Sequence, residues 1–210
     1  MKTKNFIDFL ATGAGPAPKF NAALKLFAAL LAGVAASLGI GCVVNGITPS
    51  ALSTSARWAR VAYALTMLAV GWVMIQQLAR PLLRVKWALW PLMLTLPVIA
   101  GFGVAVWTGS PTGNADVLFW GESWMVCPFL IVLYSLPGLA AALWALRTLA
   151  PTRLRLAGFA AGVFAGAQGA LGYVLVGPDD AYLFVAIWYT LGVLLTGFIG
   201  MLLGSKVLRW

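Results

Sequence analysis

Two cysteines, Cys42 and Cys127, are the residues best suited to chemistry in this 210-residue chain, which contains no histidine. A thiolate is a nucleophile, a redox centre and a soft metal ligand. Cys127 stands in the run Glu122-Ser-Trp-Met-Val-Cys-Pro, beside a proline at the entrance of an apolar segment. That segment ends in a basic turn carrying Arg147, Arg153 and Arg155. Its length, roughly twenty residues, matches a bilayer's hydrocarbon core, and basic residues collect on the cytoplasmic side. Cys127 is therefore expected near the outer surface and the arginines inside. A distinctive thiol tied by a helix to a cationic inner face suits a signalling or transport protein. It equally suits a plain membrane helix that carries a small apolar cysteine.

Other chemistry is scarce. Without histidine there is no Ser-His-Asp set, and neither a nucleotide-binding loop nor zinc-ligand spacing occurs. No acidic or basic residue falls near the middle of an expected span, where proton and ion paths place them. Gln168 does fall mid-span, and Gln76 and Gln77 lie near the end of another; a lone glutamine reads as interhelical glue. We expect no enzyme activity and no cofactor, and the sequence leaves metal binding open.

The elements that position these residues are membrane helices. The chain is 62% hydrophobic and 9% charged, too apolar for a soluble domain of this size. Its net charge of +9 could suit nucleic acid, but the basic residues punctuate apolar spans, so orientation accounts for them. The expected spans are about 23–44, 58–78, 87–107, 124–146, 156–176 and 182–203. Pro91 and Pro97 predict a kink in the third. Gly158, Gly162 and Gly166 share one face of the fifth, ready for close packing. Every basic residue except Arg57 and Arg60 then falls on the side of the termini, and every acid except Asp8 on the other. The fold expected is all-α and polytopic, six spans as three hairpins, with both termini cytoplasmic. Arg57 and Arg60 break the charge rule, and we expect them to snorkel or to pair with an outer acid. Trp188-Tyr189-Thr190 lies inside the sixth span and is read as core packing rather than interfacial belt.

Residues 1–20 stand apart from the membrane domain, 21–210. Phe6, Ile7, Phe9 and Leu10 recur at helical spacing with Thr3 as N-cap, and a Gly/Pro-rich stretch to Pro18 follows. This is a short amphipathic helix on a hinge. It suits a partner-binding segment, a helix lying on lipid, or an ordinary terminus.

Several of these stretches together resemble the NrsF family: Ser-Trp-Met-Val-Cys-Pro, Leu-Arg-Thr-Leu-Ala-Pro-Thr-Arg, Phe-Val-Ala-Ile-Trp-Tyr-Thr-Leu-Gly and the terminal Leu-Arg-Trp. The resemblance runs from the N-terminal Phe-Ile-Asp-Phe-Leu onward. It implies a six-helix protein of the bacterial inner membrane that negatively regulates an extracytoplasmic-function sigma factor. Such an anti-sigma factor holds its partner at the membrane until metal or oxidative stress arrives, and two outer cysteines matter to the signal. Cys127 matches the first. The second belongs to a His-Cys-Pro-Glu-type turn, which here reads Val176-Gly177-Pro178-Asp179, with neither histidine nor cysteine. Cys42, near the outer end of the first span, is the candidate replacement. The candidate sigma-binding residues are Phe6, Ile7, Phe9 and Leu10 with Arg153 and Arg155. The partners are then the sigma factor and the lipid bilayer, with no direct nucleic-acid contact and the oligomeric state open. The competing reading is a small membrane transporter or channel without charged residues inside the membrane.

Overall fold

The computed structural model describes residue 7 and residues 22–45, 55–78, 85–109, 119–121, 123–149, 151–177 and 182–209. Among these residues the chain is helical and contains no strand. The helices are α1 (Ala22–Asn45), α2 (Ser55–Leu78), α3 (Val85–Thr108), α4 (Cys127–Arg147), α5 (Leu154–Val174) and α6 (Tyr182–Val207). Five of them, all but α3, are long and apolar enough to cross a membrane. In α3 the described apolar stretch, Leu89–Ala105, is shorter. Pro91 and Pro97 lie inside α3, whose helical assignment runs unbroken through both.

The bundle is built around α5. Between Ala157 and Val174 every residue except Phe159 and Leu171 is buried. Its many Gly and Ala residues let neighbours close in on every side, and α5 packs against α6, α4, α2 and α1. Glycine makes its closest approach possible. A Cβ at Gly158 would collide with the Gly200 carbonyl and lie 2.8 Å from Gly204 Cα. A Cβ at Gly162 would collide with the Thr196 carbonyl and lie 2.7 Å from Gly197 Cα. The expected glycine face is thus the α5–α6 interface, where small residues replace the hydrophobic effect that lipid does not supply. By contrast α3 is peripheral: it meets α2 and the start of α6.

Gln168 behaves differently from the expected glue. Its side chain is fully buried and fills the space where Cβ atoms would stand at Gly33 of α1 and Gly138 of α4. The bond to α1 comes from its backbone: Ser37 Oγ donates to the Gln168 carbonyl at 2.7 Å. Neither amide atom of the side chain has a hydrogen-bond partner among the described residues. An unpaired buried amide costs about 1–3 kcal/mol. Gln168→Met keeps the length and removes the polar atoms, so it is expected to stabilise the bundle by about 1 kcal/mol, within that range. Unfolding in mixed detergent measures this, and a loss of stability would show that the amide is paired after all.

Candidate functional site

The structure gathers a polar and aromatic core at the Cys127 end of the bundle. Cys127 is the first residue of α4 and is completely buried. A turn over Ser123–Val126 leads into it, and its N–H donates to the Ser123 carbonyl at 2.9 Å. Gly121, at φ 58°, supplies the left-handed residue that starts this reversal. Pro128 sits in the first turn of α4, where a missing N–H breaks no helical bond. Cys127 stands at the very end of its helix, and its thiol is packed inside the bundle rather than exposed.

Arg60 ties two helices together at this end. It is fully buried on α2, and Nη1 donates to the Gly177 carbonyl at 2.9 Å. Gly177 lies just past the end of α5, where helix carbonyls lack intrahelical donors and carry partial negative charge. A guanidinium is the side chain best matched to that end. Its positive charge also faces Tyr189. The charge-rule exception at Arg60 is therefore a buried clamp onto the end of α5.

Tyrosines complete the core. The Tyr63 and Thr190 hydroxyls are 2.8 Å apart, joining α2 to α6. The Ser123 and Tyr173 hydroxyls are 2.9 Å apart, joining the turn before α4 to α5. The Tyr189 ring packs edge-on against Tyr63 and Tyr173, with centroids at 6.0 and 5.5 Å. The first part of α6 contains a π-helical turn, Val185–Tyr189. Such a turn inserts an extra residue and re-aims those that follow. Trp188 points to an aromatic group with Trp120 and Trp124, and its Nε1 donates to the Phe119 carbonyl at 3.0 Å. Tyr189 and Thr190 turn inward to the core. Sequence reasoning missed Arg60, Tyr63 and Tyr173 as site residues. The misplaced charge and the Trp-Tyr-Thr run inside a span were the signals.

The other candidate residues lie elsewhere. Cys42 is half-buried on α1, and both thiols are free. Arg153 and Arg155 are exposed at the start of α5, at the opposite end of the bundle from Cys127, and Arg147 is exposed at the end of α4. Ile7 is helical and exposed, whereas Phe6, Phe9 and Leu10 lie outside the described residues. Among the described residues no group of three His, Cys, Asp or Glu is placed to hold a metal ion.

The fold and this core define a membrane helix bundle whose interior polar groups link one helix to the next. Comparison with known proteins gives the class a name. The NrsF family model, described as "Negative regulator of sigma F", matches residues 10–210. The "Anti-sigma-F factor NrsF" of Caulobacter vibrioides is 37% identical over 218 residues, covering all of both chains. The "Probable anti-sigma-F factor NrsF" of Azospira oryzae is 36% identical over 216 residues, again covering all of both. No solved structure matches the chain. The chain belongs to the NrsF family: it is a negative regulator of a sigma factor, and not an enzyme.

Proposed function

We propose that this chain is an inner-membrane anti-sigma factor. It holds an extracytoplasmic-function sigma factor at the membrane and releases it under metal or oxidative stress. The observation that carries the reading is the family match across residues 10–210, with relatives similar over their whole length. In this reading the six helices are six spans, α3 included, and both termini are cytoplasmic. The N-terminal segment with Phe6, Ile7, Phe9 and Leu10 offers apolar anchors to the sigma factor. Arg153 and Arg155 offer charge beside it, and their exposure leaves them available. Sequestration only has to block access to the polymerase, so no catalytic group is needed.

The proposed sensor is Cys127, with Cys42 as a second candidate. The physical reason for a response is lack of room. A thiophilic metal or an oxygen atom added to a fully buried sulfur cannot be accommodated without moving the side chains packed around it. That movement loosens α4 from α5 and α6, on which it packs, and the change travels along the helices to the basic end. The test is co-purification from cells with a tagged copy. The sigma factor is expected to co-purify, and Arg153→Glu with Arg155→Glu is expected to weaken its retention. Cys127→Ser is expected to keep binding and blunt release by a thiol-reactive metal. If no sigma factor is retained by the unaltered chain, sequestration is refuted. If release is unchanged in the serine variant at equal protein level, sensing by Cys127 is refuted.

A further inference from the structure

We infer that the seam between α4 and α6, at the Arg147 end of the bundle, is a binding site for one anionic phospholipid. The seam exists because α4 and α6 both pack mainly on α5, and less on each other. What remains between them is a groove of about 330 Å³. Leu136, Ala140 and Trp144 wall it from α4, Leu203 and Val207 wall it from α6, and Arg147 stands at its end. The spacing of Leu136, Ala140, Trp144 and Arg147 puts all four on one stripe of α4.

Length and charge identify the occupant. From Leu136 to Arg147 the helix rises about 16 Å, close to half of the roughly 30 Å hydrocarbon core of a bilayer. A groove of one leaflet's depth fits one acyl chain. The walls are hydrocarbon apart from Arg147, which is exposed at the groove's end, where the apolar stripe of α4 stops. A guanidinium binds phosphate through paired N–H donors. Two more cations stand near: Lys25 Nζ lies 5.9 Å from the Trp144 ring centroid, and Lys206 is exposed beside Val207. Trp144 is 64% exposed, as suits a ring at the membrane interface. Positive charge over an apolar slot selects an acidic lipid over a zwitterionic one. The basic turn with Arg153 and Arg155 follows directly on Arg147, so a lipid held here fixes that turn against the membrane surface. This inference stands whether or not the sigma-binding reading holds.

The test is native mass spectrometry of the full-length chain released from bilayers of phosphatidylglycerol or of phosphatidylcholine. One phosphatidylglycerol adduct is expected, retained about fivefold better than phosphatidylcholine, the effect of one basic residue at an anionic surface. Arg147→Gln is expected to bring the two lipids level. Ala140→Phe, which fills the groove without altering charge, is expected to lower retention of both. Both positions are exposed, so neither substitution disturbs the core. Equal retention of the two lipids by the unaltered chain overturns the proposal. So does a phosphatidylglycerol preference that survives Arg147→Gln, or retention that survives Ala140→Phe. A dimer that persists in phosphatidylglycerol with no lipid adduct also overturns it, and assigns the seam to a second copy.

Discussion

Gly162→Val is expected to prevent the bundle from assembling. The new side chain points at the α6 backbone, the Thr196 carbonyl and Gly197 Cα, rather than at a flexible side chain. Relief therefore requires the whole of α6 to move away from α5, which also opens the Gly158–Gly200 contact one turn along. Overpacking typically costs about 1–3 kcal/mol. A clash that separates two helices along their shared face lies at or above the top of that range. The expected result is loss of the cooperative unfolding transition in detergent and rapid proteolysis. Gly39→Val is the matched control, because nothing lies within 4 Å of a Cβ at Gly39. If both variants unfold alike, close α5–α6 packing is not what holds the bundle.

Arg60→Ala is expected to be the most damaging change at the Cys127 end. It leaves the buried Gly177 carbonyl without its Arg60 donor and empties the volume of the guanidinium and its stem. A hydrogen bond to a charged group contributes about 1.5–3 kcal/mol, and a large-to-small change in a core adds a cavity term. Together they predict a loss of about 3 kcal/mol or more. The local consequence is as informative as the global one. Cys127 is expected to be shielded from a maleimide in the unaltered chain and to react in the variant, since Arg60 ties α2 to the end of α5 at this core. Arg60→Lys keeps charge but lacks the planar fork, and intermediate protection is expected. A thiol as protected in Arg60→Ala as before would mean that the clamp does not close this core.

The helices were legible because each is a long apolar run bounded by charge, proline or glycine, and their ends match expectation to within a few residues. The later start of α4 has a local cause. Trp124 to Val126 form a turn, with Ser123 accepting from the Cys127 N–H, where the apolar pattern suggested helix. The glycine face of α5 was legible from spacing alone, although not its partner, since α6 presents several glycines of its own. The polar core was hardly legible. Arg60, Tyr63, Ser123, Tyr173 and Tyr189 come from four separate stretches of chain, and only tertiary packing brings them together. The π-helical turn has no signature in Val-Ala-Ile-Trp-Tyr, and the bonds around it, between Tyr63 and Thr190 and from Trp188 to Phe119, reach to distant parts of the chain. Gln168 was visible as a lone polar residue, but its niche depends on glycines in two other helices.

The central place of α5 bears on how the protein is made. Of the five long apolar helices it is the least apolar by mean hydropathy and the most buried. It is also the second to last to leave the ribosome. When it emerges its partners α1, α2 and α4 have already been made, but the glycine face that packs on α6 has no helix to meet. A chain cut short before Thr190 therefore keeps an open seam along α5 and lacks the hydroxyl that bonds with Tyr63. Such a chain leaves glycine and backbone uncovered where α6 packs, so it is expected to be cleared faster than a chain that carries α6.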